Sequence, residues 1–253
     1  MLVDHIGLLL FPSLKILRII GRISFPIFSF MIANGCLHTK NPIKYFLTIF
    51  IMAIGFQLIY SGITKDLKLN ILFTLSFSII LCFVFLEYKT ILEKQSSTIS
   101  LKLISLLTVF LCILIVYKYT QIFSIDYDFC GCVLPLFALT FSNKSRDIVF
   151  KNKKSFLYST NIDLDCILKF KHNNQFSNTT SFDFTKYLNI ILFGIGLLFV
   201  CIRYSGIQYF SLLSLLILVF YNNKKGKLNL KYLFYIFYPL HFVLLYGIKL
   251  LFF

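Results

Sequence analysis

Long apolar stretches separated by short polar ones set the pattern of this chain. Continuous apolar runs occupy residues 19–37, 43–63, 71–88, 101–123, 187–203, 205–221 and 231–253, with shorter runs at 1–12 and 129–142. None alternates in the two-residue period of a barrel strand. A spanning helix needs about 20 mainly apolar residues, so the longer runs reach spanning length. The run 1–12 is too short to cross alone and reads as a truncated first span. Lipid offers the backbone no hydrogen-bond partners, so each segment must satisfy its own amides and carbonyls as a helix. The expected fold is therefore all-α, a polytopic transmembrane helical bundle with about eight or nine spans. Residues 1–253 read as a single transmembrane domain. The stretch 143–186 interrupts the pattern. It is polar and basic, lacks an apolar period, and reads as a flexible cytoplasmic loop inserted between spans. The chain shows no internal repeat, a feature expected of many transporters.

Composition agrees with the pattern. Of 253 residues, 58% are hydrophobic and 14% charged, with a mean hydropathy of +0.83. Soluble domains run at about 45–50% apolar and about 25% charged. A water-soluble globule could not hide this much apolar surface, so the expected surroundings are a lipid bilayer. Lys and Arg total 25 against 10 Asp and Glu, for a net charge of +15. Such an excess in a soluble chain would suggest nucleic acid. Here the cations lie between apolar runs and act as anchors and topology signals, and no nucleic-acid partner is expected. Of the 25, 17 fall in or beside the loops that follow the second, fourth, sixth and eighth runs. That bias places those loops in the cytoplasm, with the N-terminus inside and the C-terminus outside. Lys15, Arg18 and Arg22 run against it, on the outer side. Cys36, Cys82, Cys112 and Cys201 lie inside apolar runs, where Cys behaves as a small hydrophobe. Cys130-Gly131-Cys132 has neither zinc-site nor thioredoxin spacing.

Ionisable residues are costly in lipid, so the few present are candidates for function. Asp4 and His5 sit among Leu2, Val3, Ile6 and Leu8. Adjacent helical positions point about 100° apart, so Asp4 would meet another helix rather than His5. His241 follows Pro239 in the last run. Pro239 cannot donate to the carbonyl of Tyr235, which suggests a kinked helix lining a cavity. His5 and His241 are candidates for a general base, with Asp4 binding or orienting a neighbour. Lys15, Arg18 and Arg22 share a helical face that could hold phosphates of a cofactor or of lipids, or simply anchor the helix at the interface. His38 and Lys40 lie in His38-Thr39-Lys40-Asn41-Pro42, where Thr39 or Asn41 can cap the helix that Pro42 begins. Asn70 is a candidate cap for the next helix, and Asp126 and Asp128 suit a helix N-terminus. No nucleotide-binding loop, serine-hydrolase elbow or zinc-protease motif occurs.

Taken in order, several segments resemble the TraX family of membrane proteins. They are Val3-Asp4-His5-Ile6-Gly7, Arg18 through Phe28 with Gly21 and Pro26, Gly35 with His38-Thr39-Lys40-Asn41, Asn70 through Leu75, Asp126-Tyr127 with Gly131, and Tyr238-Pro239-Leu240-His241. Only three residues precede the Asp-His pair here, where the family usually has about a dozen. Asn34 stands where an acidic residue is expected. The resemblance implies an integral-membrane acetyltransferase. It would move an acetyl group from acetyl-CoA to an amine or hydroxyl on a pilin-like peptide N-terminus or another cell-surface molecule. It also implies His5, His241 and Asp4 at the catalytic centre, and Arg18, Arg22, His38 and Lys40 on the CoA phosphates. The rival reading is a non-catalytic membrane protein, a transporter or an assembly partner of a conjugation or secretion system.

Overall fold

A computed structural model describes residues 1–64, 68–94, 97–141, 184–222 and 231–252. Its elements are α1 (Leu2–Leu9), α2 (Lys15–Arg22), α3 (Ser24–His38), α4 (Pro42–Thr64), α5 (Ile71–Glu93), α6 (Ile99–Ile122), α7 (Asp128–Leu139), α8 (Phe184–Tyr204), a 3₁₀ segment (Gly206–Leu213), α9 (Ser214–Val219) and α10 (Lys231–Phe252). The chain is an all-α bundle. Five helices among the described residues are long and apolar enough to cross a membrane: Lys15–His38, Pro42–Gly62, Ile71–Glu93, Ile99–Ile122 and Thr185–Tyr204. The protein is thus a polytopic membrane protein.

Three of the apolar runs take other shapes. Residues 1–12 contain only the two turns of α1. The run 129–142 folds as the 12-residue α7. The run 205–221, expected as one span, divides into the 3₁₀ segment and the six-residue α9. The cause lies at its start, where Ser205 (φ 45°) and Gly206 (φ 57°) adopt left-handed backbone that no α-helix contains. A fourth run, 19–37, begins earlier than its apolar residues do, because Lys15, Arg18 and Arg22 are themselves helical. It breaks at Ile23, between α2 and α3. Pro26 has no amide to give the carbonyl of Arg22, so the ladder is interrupted there. Most of the polar stretch 143–186 lies outside the described residues, and only its last three positions open α8.

Core packing joins α3, α5, α7 and α8. Phe25, Phe30, Ile79, Leu134, Phe193 and Leu197 are buried in one cluster. The ring of Phe30 meets that of Phe193 edge-on at 5.5 Å. Gly196 lets the Phe137 ring of α7 rest directly on α8. In contrast, α6 exposes Leu103, Leu107, Phe110, Leu111 and Ile115. A helix apolar on all sides with almost nothing buried is matched by acyl chains, and the bilayer is its solvent.

Two capping expectations describe the structure well. Asn41 Oδ1 accepts the Lys44 amide at 3.0 Å at the start of α4. Asn70 caps α5 by accepting the Leu72 amide at 2.9 Å. Asn70 does more, since its Nδ2 donates to the Ala53 carbonyl (3.0 Å) and to Gln57 Oε1 (2.9 Å), tying α5 to α4. Its removal takes away a cap, worth about 0.5–2 kcal/mol, and the two Nδ2 bonds to α4, each worth about 0.5–1.5 kcal/mol net. Asn70→Ala should therefore lower stability by roughly 2–4 kcal/mol in denaturant titration of the detergent-solubilised protein. Asn70→Asp keeps the cap but sets a buried carboxylate oxygen against two acceptors, the Ala53 carbonyl and Gln57 Oε1, and should be at least as damaging.

Candidate active site

A cavity of about 660 Å³ opens where several helix ends meet. It is lined by the C-terminal part of α4 (Phe56, Tyr60), the start of α5 (Asn70, Ile71), the turn before α7 (Asp126, Tyr127) and the end of α8 (Tyr204), with the 3₁₀ segment (Gln208) as another wall. Asp4 and His5 of α1 and Arg18 and Arg22 of α2 complete it. A single parallel bridge pins the two loops at its rim. Leu69 donates its amide to Ser124 (2.8 Å), and its carbonyl accepts from the Asp126 amide (3.1 Å).

His5 and His241, 236 positions apart in sequence, are hydrogen bonded, with His5 Nδ1 2.8 Å from His241 Nε2. The far nitrogen of His241, Nδ1, lies 2.7 Å from the Phe237 carbonyl. A carbonyl only accepts, so His241 Nδ1 carries its proton. In a neutral imidazole the other nitrogen is then bare. His241 Nε2 therefore accepts, and His5 Nδ1–H donates. It follows that His5 Nε2 holds the free lone pair. His5 lines the cavity, whereas His241 is 3% exposed and stands behind it, stacked against Phe237. The arrangement is a base held in one tautomer by a second ring, which is itself fixed by a backbone carbonyl.

Asp4 turns away from His5 and meets α2. Its Oδ1 lies 3.5 Å from Arg18 Nε and 4.0 Å from Arg22 Nη2. The Arg18 contact is an ion pair whose atoms are not aligned for a hydrogen bond. Arg22 Nη1 also donates to the Tyr127 hydroxyl at 3.0 Å. Tyr127 itself holds left-handed backbone (φ 64°) and stacks on Phe25 with ring centroids 3.8 Å apart. Burial pushes its phenol above the ordinary range, against the opposing pull of Arg22. Lys68 Nζ pairs with Asp126 Oδ1 at 2.9 Å. Burial disfavours the Lys68 ammonium, but the charge and hydrogen bond of Asp126 outweigh it and raise its pKa.

The other two sequence candidates lie elsewhere. His38 ends α3, where its Nδ1 lies 2.9 Å from the Asn34 carbonyl, and Lys40 is exposed in the following turn. Ser24, at the start of α3, lines the cavity. Fifteen residues of α-helix (Ser24–His38) span about 20 Å. Arg18, Arg22, His38 and Lys40 are therefore two separate pairs at opposite ends of the bundle, not one anion site. Lys15 is exposed.

Sequence reasoning did not single out Tyr127, Tyr204, Ser205, Lys68 or Gln208 as site residues. For Gln208 a signal existed. It is the one amide side chain in an otherwise apolar run, and polar side chains in such runs are costly. Tyr127 and Ser205 owe their positions to positive-φ backbone, which composition does not report.

A family model described as TraX protein matches residues 1–249. No curated protein and no solved structure matches the chain.

Proposed function

The chain belongs to the TraX family of conjugation-associated membrane proteins, and from that premise we propose that it is an integral-membrane acetyltransferase with His5 as its general base. The observation that carries this reading is the fixed tautomer of the His5–His241 pair, which leaves Nε2 of the cavity-lining His5 bare. Acyl transfer asks for a base near the acceptor and a positioned thioester carbonyl. The acceptor proton goes to His5 Nε2, the acceptor's nucleophilic atom bonds the acetyl carbon, and the carbon–sulfur bond of acetyl-CoA breaks to leave the CoA thiolate. Asp4, held by Arg18 and Arg22, sets the packing of α1 on α2 and with it the position of His5. The membrane in this reading is the bacterial cytoplasmic membrane.

The cavity lies at the end of the bundle opposite the loops that carry most of the cations. Met1 lines it, so the N-terminus shares that side rather than lying inside, because the eight-residue α1 does not span. On the charge-bias rule those loops face the cytoplasm, where CoA resides. His38 and Lys40 are on that face and in this reading meet the CoA phosphates, while the acetyl group enters the bundle on the long pantetheine arm. Single cysteines test the sidedness. With the native cysteines replaced, Lys40→Cys should react with a membrane-impermeant maleimide only in inside-out vesicles, and Ser205→Cys only in intact spheroplasts. The reverse pattern would place the cavity in the cytoplasm.

The reading itself is tested by mass spectrometry of small membrane proteins and surface polymers from cells with and without the gene. A lost acetyl group that wild type restores and His5→Ala does not is the expected result. An unchanged acetyl inventory favours the non-catalytic role.

A further inference from the structure

Two features of the cavity wall bear on the acceptor. The first is charge. Both carboxylates that line the cavity are already neutralised, Asp4 by two guanidinium groups and Asp126 by the Lys68 ammonium. Among the described side chains of the lining, cations outnumber carboxylates. An amine acceptor arrives largely as an ammonium, since model amines titrate at about 7.7–10.4. It would need a carboxylate to hold it, and none here is without a cation.

The second is Gln208. It is 5% exposed, lines the cavity, and its Nε2 has no hydrogen-bond partner. A buried donor without a partner is costly. Its position is specified by unusual backbone, since the turn that starts the 3₁₀ segment needs positive φ at Ser205 and Gly206. The amide at 208 is therefore held in place with a donor to spare. An ammonium has no lone pair and cannot accept that hydrogen, whereas a hydroxyl oxygen can. Tyr127, Tyr204, Phe25 and Phe56 give the same cavity aromatic walls, and its volume falls within the roughly 300–1,000 Å³ of small-molecule pockets.

We infer that the acceptor is the hydroxyl of a neutral, polyhydroxylated molecule of saccharide type, bound through Gln208, and that the product is an ester rather than an amide. This rests on the acetyltransferase reading above and names the acceptor class at that site. In the step, the acceptor oxygen bonds the acetyl carbon, its proton passes to His5 Nε2, and CoA leaves as the thiolate, which is then protonated.

The bond formed can be read directly. Membrane and surface fractions from cells with and without the gene are compared by mass spectrometry before and after mild alkaline hydroxylamine, which cleaves esters and spares amides. The expected result is a gene-dependent acetyl group that hydroxylamine removes. Gene-dependent acetylation that resists hydroxylamine overturns this inference and leaves the acetyltransferase reading standing. Absence of any gene-dependent acetyl group overturns both. Gln208→Leu supplies a second arm with its own readout. Replacing an unpaired donor by an apolar side chain should leave the thermal midpoint of the purified protein unchanged or higher, and should lower acetylation about two- to tenfold, the worth of one net hydrogen bond. A lower midpoint with full acetylation would make Gln208 a structural residue and overturn its role here.

Discussion

His5→Ala should lower acetyl transfer by about 10²–10⁴-fold, the usual contribution of a positioned general base, with the protein still inserted and folded. The side chain is half-buried at a cavity wall, so its loss leaves no large core void. His241→Ala should also lower turnover, mainly in kcat, though His241 does not line the cavity. Without it, His5 Nδ1–H loses its acceptor, and nothing prevents the tautomer that carries the proton on Nε2 and cannot act as a base. His241→Gln separates orientation from bulk. A carboxamide can accept from His5 Nδ1 and donate to the Phe237 carbonyl, as the His241 imidazole does now, so it should recover part of the activity that Ala loses. Equal activity in wild type and both Ala variants would remove the pair from the mechanism. The pH dependence has a definite sign. The working form is neutral, and a proton on His5 Nε2 blocks it, so transfer should fall as pH drops.

How far the sequence disclosed this site depends on what kind of signal each residue carries. His5, His241 and Asp4 stood out because ionisable groups are expensive in lipid, and that argument needs no structure. The 100° step between neighbours on a helix separated Asp4 from His5, and the structure gives Asp4 to Arg18 and Arg22 of α2. Asn41 and Asn70 were legible as caps because capping is local. The grouping of Arg18 and Arg22 with His38 and Lys40 was not legible. Periodicity places residues on a face but says nothing about which end of a 15-residue helix faces a cavity. Span 205–221 misled for a related reason. Hydropathy counts apolar residues, and only the positive φ at Ser205 and Gly206 turns that stretch into a 3₁₀ wall carrying Gln208. The break between α2 and α3 was not read from the sequence either, although Pro26, which has no amide to give the carbonyl of Arg22, carried the signal.

Gly21→Ala should be among the most damaging single-methyl additions in the chain. α1 and α2 cross where Gly7 and Gly21 face each other's helices. A Cβ at Gly21 would lie 2.7 Å from the Cα of Asp4 and closer still to its Cβ. Those atoms belong to or adjoin backbone and cannot swing aside as a side-chain tip would. α1 must then move bodily, and His5, the next residue along, moves with it. Overpacking of this kind costs about 1–3 kcal/mol when side chains absorb it, and here the helix axis must shift. The expected outcome is a lowered thermal midpoint together with loss of acetyl transfer. Gly7→Ala meets Leu17 Cβ at 2.9 Å and should behave similarly but less severely. Gly55→Ala is the control, since nothing lies within 4 Å of its added methyl. In a helix interior that change should be neutral or stabilise by about 0.5–1 kcal/mol. If Gly21→Ala matches Gly55→Ala in both midpoint and activity, the close approach of α1 to α2 does not position His5.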